Sequence, residues 1–259
     1  MADVLRVCAL YPDLMNIYAD RGNLAVFERR CAWRGMGFEL RGAGLGEPVD
    51  PDAHDLFYLG GGQDRDQQLC AHDLVTVKRD ALHAAAAAGK VLFGVCGGYQ
   101  LLGHAYALAD ERLPGIGLVD LETVREEGPR LIGNVAIELA GGDDPLGRAL
   151  DGRVLAGFEN HAGRTYLGPA ERPLGRVLNG HGNNGRDGAE GVRGGPAGKV
   201  VGTYLHGPLL PKNTWFADWL TAAALDLEPA DLAPLDDELE AAAHAAARRA
   251  INRRGHVAD

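Results

Sequence analysis

A chain of 259 residues, 46% apolar and 24% charged, is long enough to bury one large core and has the make-up of an ordinary globular protein. Its net charge of -10 argues against a nucleic-acid partner held by a general basic surface, though not against a local basic patch. The four cysteines at 8, 31, 70 and 96 form no C-x-x-C and no metal-like pairing; with no signal-like N-terminus and no membrane-length apolar run, the expected location is a reducing cytoplasm.

In chain order, Val4 to Leu10 reads as a buried strand, Asn23 to Trp33 as a helix with one apolar face, and Phe38 to Arg41 as a weaker strand. The strand Asp55 to Leu59 runs into Gly60-Gly61-Gly62-Gln63. A long helix over Gln67 to Ala88 stops at Gly89, where a C-terminal glycine belongs. The strand Val91 to Val95 follows, then Cys96 and another helix. Strands alternating with long helices imply βαβ units and a parallel sheet, an α/β fold.

From Leu131 the texture changes. Short β-rich runs at Leu131 to Leu139, Arg153 to Phe158, Arg164 to Leu167 and Arg176 to Leu178 are divided by glycine-rich turns, and are expected to add antiparallel strands to the same sheet. Val200 to Leu205 returns as a core strand ending on His206. Trp215 to Leu225 is helical, and the polar link Pro229 to Leu235 leads to an alanine-rich, charged helix over about Asp236 to Arg253, suited to a docked or solvated tail. The expected division is one domain over 1–225 and a C-terminal helical extension over 226–259.

Three segments could carry chemistry. Lys90 to Leu102 has the pattern of a nucleophile elbow: a β-rich run, Gly94, Cys96, then Gly97-Gly98 and a helical start. A thiol there sits at a helix N-terminus, which favours the thiolate; the alternative is a buried structural cysteine. His206 ends a distant strand, as the base for such a thiol would. The glycines at 60–62 close a third strand, so that a loop N–H, with that of Gly97, could form an oxyanion hole; alone they could be a plain turn. Residues Gly207 to Leu210 supply no carboxylate to orient His206.

Gly180-His-Gly-Asn-Asn-Gly185 matches G-x-G-x-x-G, but no helix pattern follows, so the dinucleotide reading fails on context. No Walker motif is present, since Gly89-Lys90 precedes Val91, and ATP binding by this chain is not expected.

Gly60-Gly-Gly-Gln, Gly94-Val-Cys-Gly-Gly-Tyr-Gln-Leu-Leu and Thr203-Tyr-Leu-His-Gly together resemble the class I, triad-type glutamine amidotransferases of the cobyric acid synthase-like branch. The stretch Leu10 to Asn23, Arg130-Leu-Ile-Gly-Asn134, Gly157 to Leu167 and Gly182-Asn-Asn-Gly look like the GatD glutaminase subunits of lipid II isoglutaminyl synthase. The likeness covers roughly Val4 to Leu225.

What this resemblance implies is a flavodoxin-like, mixed but mostly parallel sheet flanked by helices, and a glutaminase that feeds ammonia to a MurT-like Mur ligase partner in a heterodimer. ATP and magnesium would be held by that partner, which amidates the D-glutamate α-carboxylate of lipid II to D-isoglutamine, and the lipid-linked substrate would bring the complex to the inner membrane face. Cys96 would be the nucleophile and His206 the base. Arg130 would hold the glutamine α-carboxylate, with Gly62, Gly97, Gln100 and Asn160 also on the substrate. Many class I members carry a glutamate where this chain has Pro208; the resemblance to the GatD branch implies that the partner supplies an aspartate instead. No cofactor or metal is expected in this chain. The rival readings are an amidotransferase for another carboxylate, such as a corrinoid, and a non-catalytic regulatory protein on the same scaffold.

Overall fold

The computed structural model describes residues 3–16, 21–108 and 111–254. Ile17 to Asp20 of the Leu10 to Asn23 stretch, and 255–259 of the extension, lie outside the described residues.

The first half alternates as expected: β1 (Val4–Leu10), α1 (Arg21–Trp33), β2 (Gly37–Ala43), β3 (Leu56–Leu59), α2 (Asp64–Asp73), α3 (Arg79–Ala87), β4 (Val91–Val95) and α4 (Gly97–Leu102). Strands β3 and β4 are buried at every residue, as central strands of a helix-covered parallel sheet must be. The long helix expected over 67–88 is interrupted, because Leu74–Lys78 between α2 and α3 is π-helical. In an α-helix residues five apart diverge by roughly 140°, whereas the wider π-turn stacks them. Lys78 thereby meets the Asp73 carboxylate on one face.

The glycine-rich half holds β5 (Ala105–Ala107), β6 (Arg112–Pro114), β7 (Leu121–Arg125), β8 (Leu131–Leu139), α5 (Pro145–Arg148), β9 (Val154–His161), β10 (Gly163–Leu167), β11 (Gly175–Asn179) and β12 (Ala189–Glu190). The chain then returns through β13 (Val192–Gly194), β14 (Val200–Thr203), α6 (Leu209–Lys212), α7 (Thr214–Ala224) and α8 (Glu238–Arg254).

Among the described residues the main sheet runs β13-β14-β4-β3-β1-β2, parallel except for β13. Here the structure corrects one expectation. The runs at 131–139, 153–158, 164–167 and 176–178 do not extend that sheet; they build two separate four-stranded sheets, β10-β7-β5-β6 and β12-β11-β8-β9. The reason is that these strands take one another as partners. Strand β8 pairs antiparallel with β9 from Leu131↔His161 to Glu138↔Val154, and β11 takes its other edge, so β9 meets the chain beyond β14 only through the isolated Phe158–His206 bridge.

Helix α8 docks through a small apolar patch of its own, Ile251 against Ala136 and Ala156. His244 Nδ1–H donates to the Lys212 carbonyl at 2.9 Å. The link before it is tied down by Arg30, 3% exposed, whose guanidinium grips both Asp218 and Asp237. No helix among the described residues is long and apolar enough to cross a membrane.

Candidate active site

Cys96 sits at φ 52°, ψ −108°, on the left-handed side that L side chains rarely adopt, between β4 and α4. Close approach of glycines makes room for this turn. A β-carbon on Gly98 would stand 2.1 Å from the Leu59 carbonyl oxygen, and one on Gly94 2.7 Å from Leu102 Cδ1. The Gly98 N–H donates to the Gly60 carbonyl at 3.0 Å, locking the start of α4 against the glycine loop after β3.

Strand β14 lies beside β4 in parallel register, Thr203 opposite Val95, and the Cys96 N–H donates to the Thr203 carbonyl at 2.9 Å. Cys96 and His206 therefore leave neighbouring strands at the same sheet edge, the carboxyl edge where α/β sheets bind ligands. His206 exchanges backbone hydrogen bonds with Phe158 of β9, at 3.0 and 3.2 Å, and its ring meets the Phe158 ring edge-on at 6.1 Å. Burial pushes the imidazole down to about 4, and the charges of His161, Lys212 and Arg130 press the same way. At neutral pH it is an uncharged base.

A cavity of about 380 Å³ is lined by Cys96, Gly62, Gly97, Gln100, Arg130 and Asn160, together with Gln67, Tyr106 and His161 among others. Every substrate-side residue expected from the sequence is thus gathered around the thiol, while His206 stands outside that lining, 1% exposed against Phe158. Arg130 Nε donates to Asn160 Oδ1 at 2.8 Å and its Nη2 to the Asn160 carbonyl at 2.9 Å, so Asn160 aims the guanidinium. The Gln100 amide is engaged at both ends: its Oε1 accepts from Gln67 Nε2 at 2.8 Å, and its Nε2 donates to the Tyr204 hydroxyl at 3.0 Å. Gln100 forms the cavity wall as part of a buried polar chain that continues from Tyr204 to Thr165 and Thr123.

Gln67 and His161 line the cavity without having been singled out in the sequence. His161 stacks flat on Tyr204, with centroids 3.6 Å apart, and its Nδ1–H donates to the Gly163 carbonyl at 2.8 Å. Its signal was present: the buried face of β9 carries Glu159 and His161 at period two, polar groups where apolar ones are the rule.

Two buried carboxyl groups lie near this edge, each with hydrogen-bond partners of its own. Glu159 accepts the N–H groups of His181 and Gly182 at 2.6 and 2.9 Å, with His161 Nε2 3.8 Å away. The Gly180 to Gly185 loop thus wraps a carboxylate of its own chain. Glu190, pushed up to about 8 by burial, accepts from Thr203 Oγ1 and from the Tyr204 N–H at 2.7 Å.

Residues 6–214 match the CobB/CobQ-like glutamine amidotransferase domain. The chain is 36% identical over 231 residues to the protein called lipid II isoglutaminyl synthase (glutamine-hydrolyzing) subunit GatD of Staphylococcus aureus, covering 88% of each. It is 34% identical to the Streptococcus pneumoniae protein of that name, over 85% of this chain and 80% of the relative. A cobyric acid synthase of Pelotomaculum thermopropionicum is 35% identical over 78% of this chain but only 37% of its own length. Among solved structures, PurLQS from Thermotoga maritima shares the fold, with a TM-score of 0.61 at 20% identity over 86% of this chain and 98% of that one.

Proposed function

The chain belongs to the CobB/CobQ-like glutamine amidotransferase family, and from that membership we propose that it is the glutaminase subunit of a lipid II isoglutaminyl synthase. The observation that carries the chemistry is the parallel register of β4 and β14, which delivers Cys96 and His206 to one sheet edge. The near full-length match to GatD proteins, against a match to about a third of a cobyric acid synthase, favours lipid II over a corrinoid acceptor.

In this reading Arg130, aimed by Asn160, holds the α-carboxylate of L-glutamine by charge-assisted hydrogen bonds. His206 takes the Cys96 thiol proton as the sulfur attacks the side-chain carboxamide carbon, and backbone N–H groups of Gly97 and of the loop ending at Gly62 take the developing oxyanion. As the tetrahedral intermediate collapses the C–N bond breaks, and His206 gives the thiol-derived proton to the departing ammonia. Water, deprotonated by His206, then cleaves the γ-glutamyl thioester to glutamate and frees the thiol.

The partner in this proposal is a MurT-like Mur ligase in a cytoplasmic heterodimer. It holds ATP and magnesium, takes the ammonia, and supplies the acidic side chain that the segment Gly207 to Leu210 does not carry. Residues 1–225 form the amidotransferase domain, and 226–259 its extension. Cys96→Ala in the complex should abolish amidation of lipid II from glutamine and leave amidation from ammonium salts intact. Loss of both activities, or loss of neither, contradicts the proposal.

A further inference from the structure

Outside the cavity, a buried charged cluster stands at the end of β1 with no part in the chemistry described. Tyr11 has φ 51°, a strained conformation for so bulky a residue. Its hydroxyl donates to the Asp73 carboxylate at 2.7 Å. Asp73 also takes the Lys78 ammonium and the Gly46 N–H, the latter at 2.6 Å. Lys78 in turn donates to the Gly44 carbonyl at 2.8 Å and stands 4.6 Å from the Tyr11 ring centroid. Tyr11 is 1% exposed and Lys78 fully buried, and burying an ammonium is costly unless it is fully paired. The helix adopts its π-turn at this point, which brings Asp73 and Lys78 onto one face.

The strained turn leads to the active site. The Tyr11 carbonyl accepts the N–H groups of Leu14 and Met15 at 3.0 and 2.8 Å, folding the chain back so that Met15, 2% exposed, lies across both glycine loops. A β-carbon on Gly60 would be 2.5 Å from the Met15 carbonyl oxygen, one on Gly62 2.4 Å from Met15 Sδ, and one on Gly97 3.2 Å from Met15 Cε.

We infer that Tyr11, Asp73 and Lys78 are positioning residues: they hold the Tyr11 turn so that Met15 clamps the Gly60 to Gly62 loop against Gly97 beside Cys96. The inference rests on the proposed use of the Gly62 and Gly97 region as oxyanion donors. Such donors act on the transition state and little on bound glutamine, so loosening the clamp lowers kcat and spares KM.

The test is steady-state hydrolysis of L-glutamine by the full chain in complex with its ligase partner. Tyr11→Phe keeps the ring over Lys78 and removes the hydroxyl. It should lower kcat about tenfold, as small misplacements near reacting groups do, with KM within twofold of wild type. Met15→Ala should act likewise, and Met15→Leu, which restores the bulk, should recover most of the rate. Wild-type kcat in Tyr11→Phe, or a loss shared equally by kcat and KM, overturns the inference. Should Tyr11→Phe fail to fold, Met15→Ala carries the test, because it leaves the cluster whole, and an unchanged kcat there overturns the inference as well. A wild-type complex that hydrolyses no glutamine would instead overturn the reading of the site on which the inference rests.

Discussion

Arg130 holds Asn160 by two hydrogen bonds, Nε to Oδ1 at 2.8 Å and Nη2 to the backbone carbonyl at 2.9 Å, across the paired strands β8 and β9. The pair fixes the plane of the guanidinium at the cavity wall. A lysine cannot reproduce this fork, so Arg130→Lys should raise KM for glutamine roughly ten- to a hundredfold while changing kcat little. Asn160→Ala should raise KM by a smaller factor. Initial-rate kinetics over a wide glutamine range would check both, and an unchanged KM in Arg130→Lys would remove Arg130 from the substrate site.

Burial pushes His206 down from the ordinary 6.5 to about 4 in the folded chain. Between those values the unfolded chain holds the extra proton, so stability rises with pH across the window and is lost on acidification from 6.5 toward 4, by on the order of 3 kcal/mol. Thermal melts of wild type and His206→Gln between pH 4 and 7 should show a shallower fall in the variant. A partner carboxylate beside the ring would raise this value. The acid limb of kcat/KM should therefore lie at higher pH in the complex than in the isolated chain, and coincident limbs would count against a partner-supplied acid.

Gln100 serves the wall of the site through Gln67 and Tyr204. Gln100→Ala leaves two buried polar groups without this partner and should cost about 1 to 3 kcal/mol in urea unfolding. If its role is structural, KM should move less than about threefold, since the side chain's own amide is engaged. A large rise in KM with unchanged stability would give Gln100 a direct contact with glutamine.

Glu190 shows the opposite linkage. Its carboxyl is raised by burial to about 8, so it contributes stability that is full below about 4.5 and lost as pH rises through 8. Glu190→Gln keeps the shape and an acceptor for the Tyr204 N–H without the ionisation. The variant should gain stability over wild type between pH 6 and pH 9, and parallel unfolding curves at both pH values would refute a neutral Glu190.

The elbow at Cys96, the glycine loop after β3 and the strand that leads toward His206 were legible because each is a local steric pattern, although β14 stops at Thr203 and His206 joins Phe158 in a separate bridge. A Gly-x-Cys-Gly-Gly run demands small residues within a few positions of the turn, and the structure meets that demand through Gly94 and Gly98. The glycine-rich half was legible as strands but not as sheets, since the partner of an edge is chosen by register and burial across long stretches of chain. The π-turn at Leu74–Lys78 left no sequence signature, because it answers to the Asp73 and Lys78 pairing.

The sequence by itself determined the alternating α/β order, the family motifs and the thiol at a strand end, since these rest on periodicity and on the sterics of adjacent residues. Tertiary structure alone decided that β14 lies against β4, that Arg130 meets Asn160, that Met15 covers Gly62 and Gly97, and that Glu159 is enclosed by the Gly180 to Gly185 loop. Each of these joins residues distant in the chain, through backbone register and burial that no local pattern encodes.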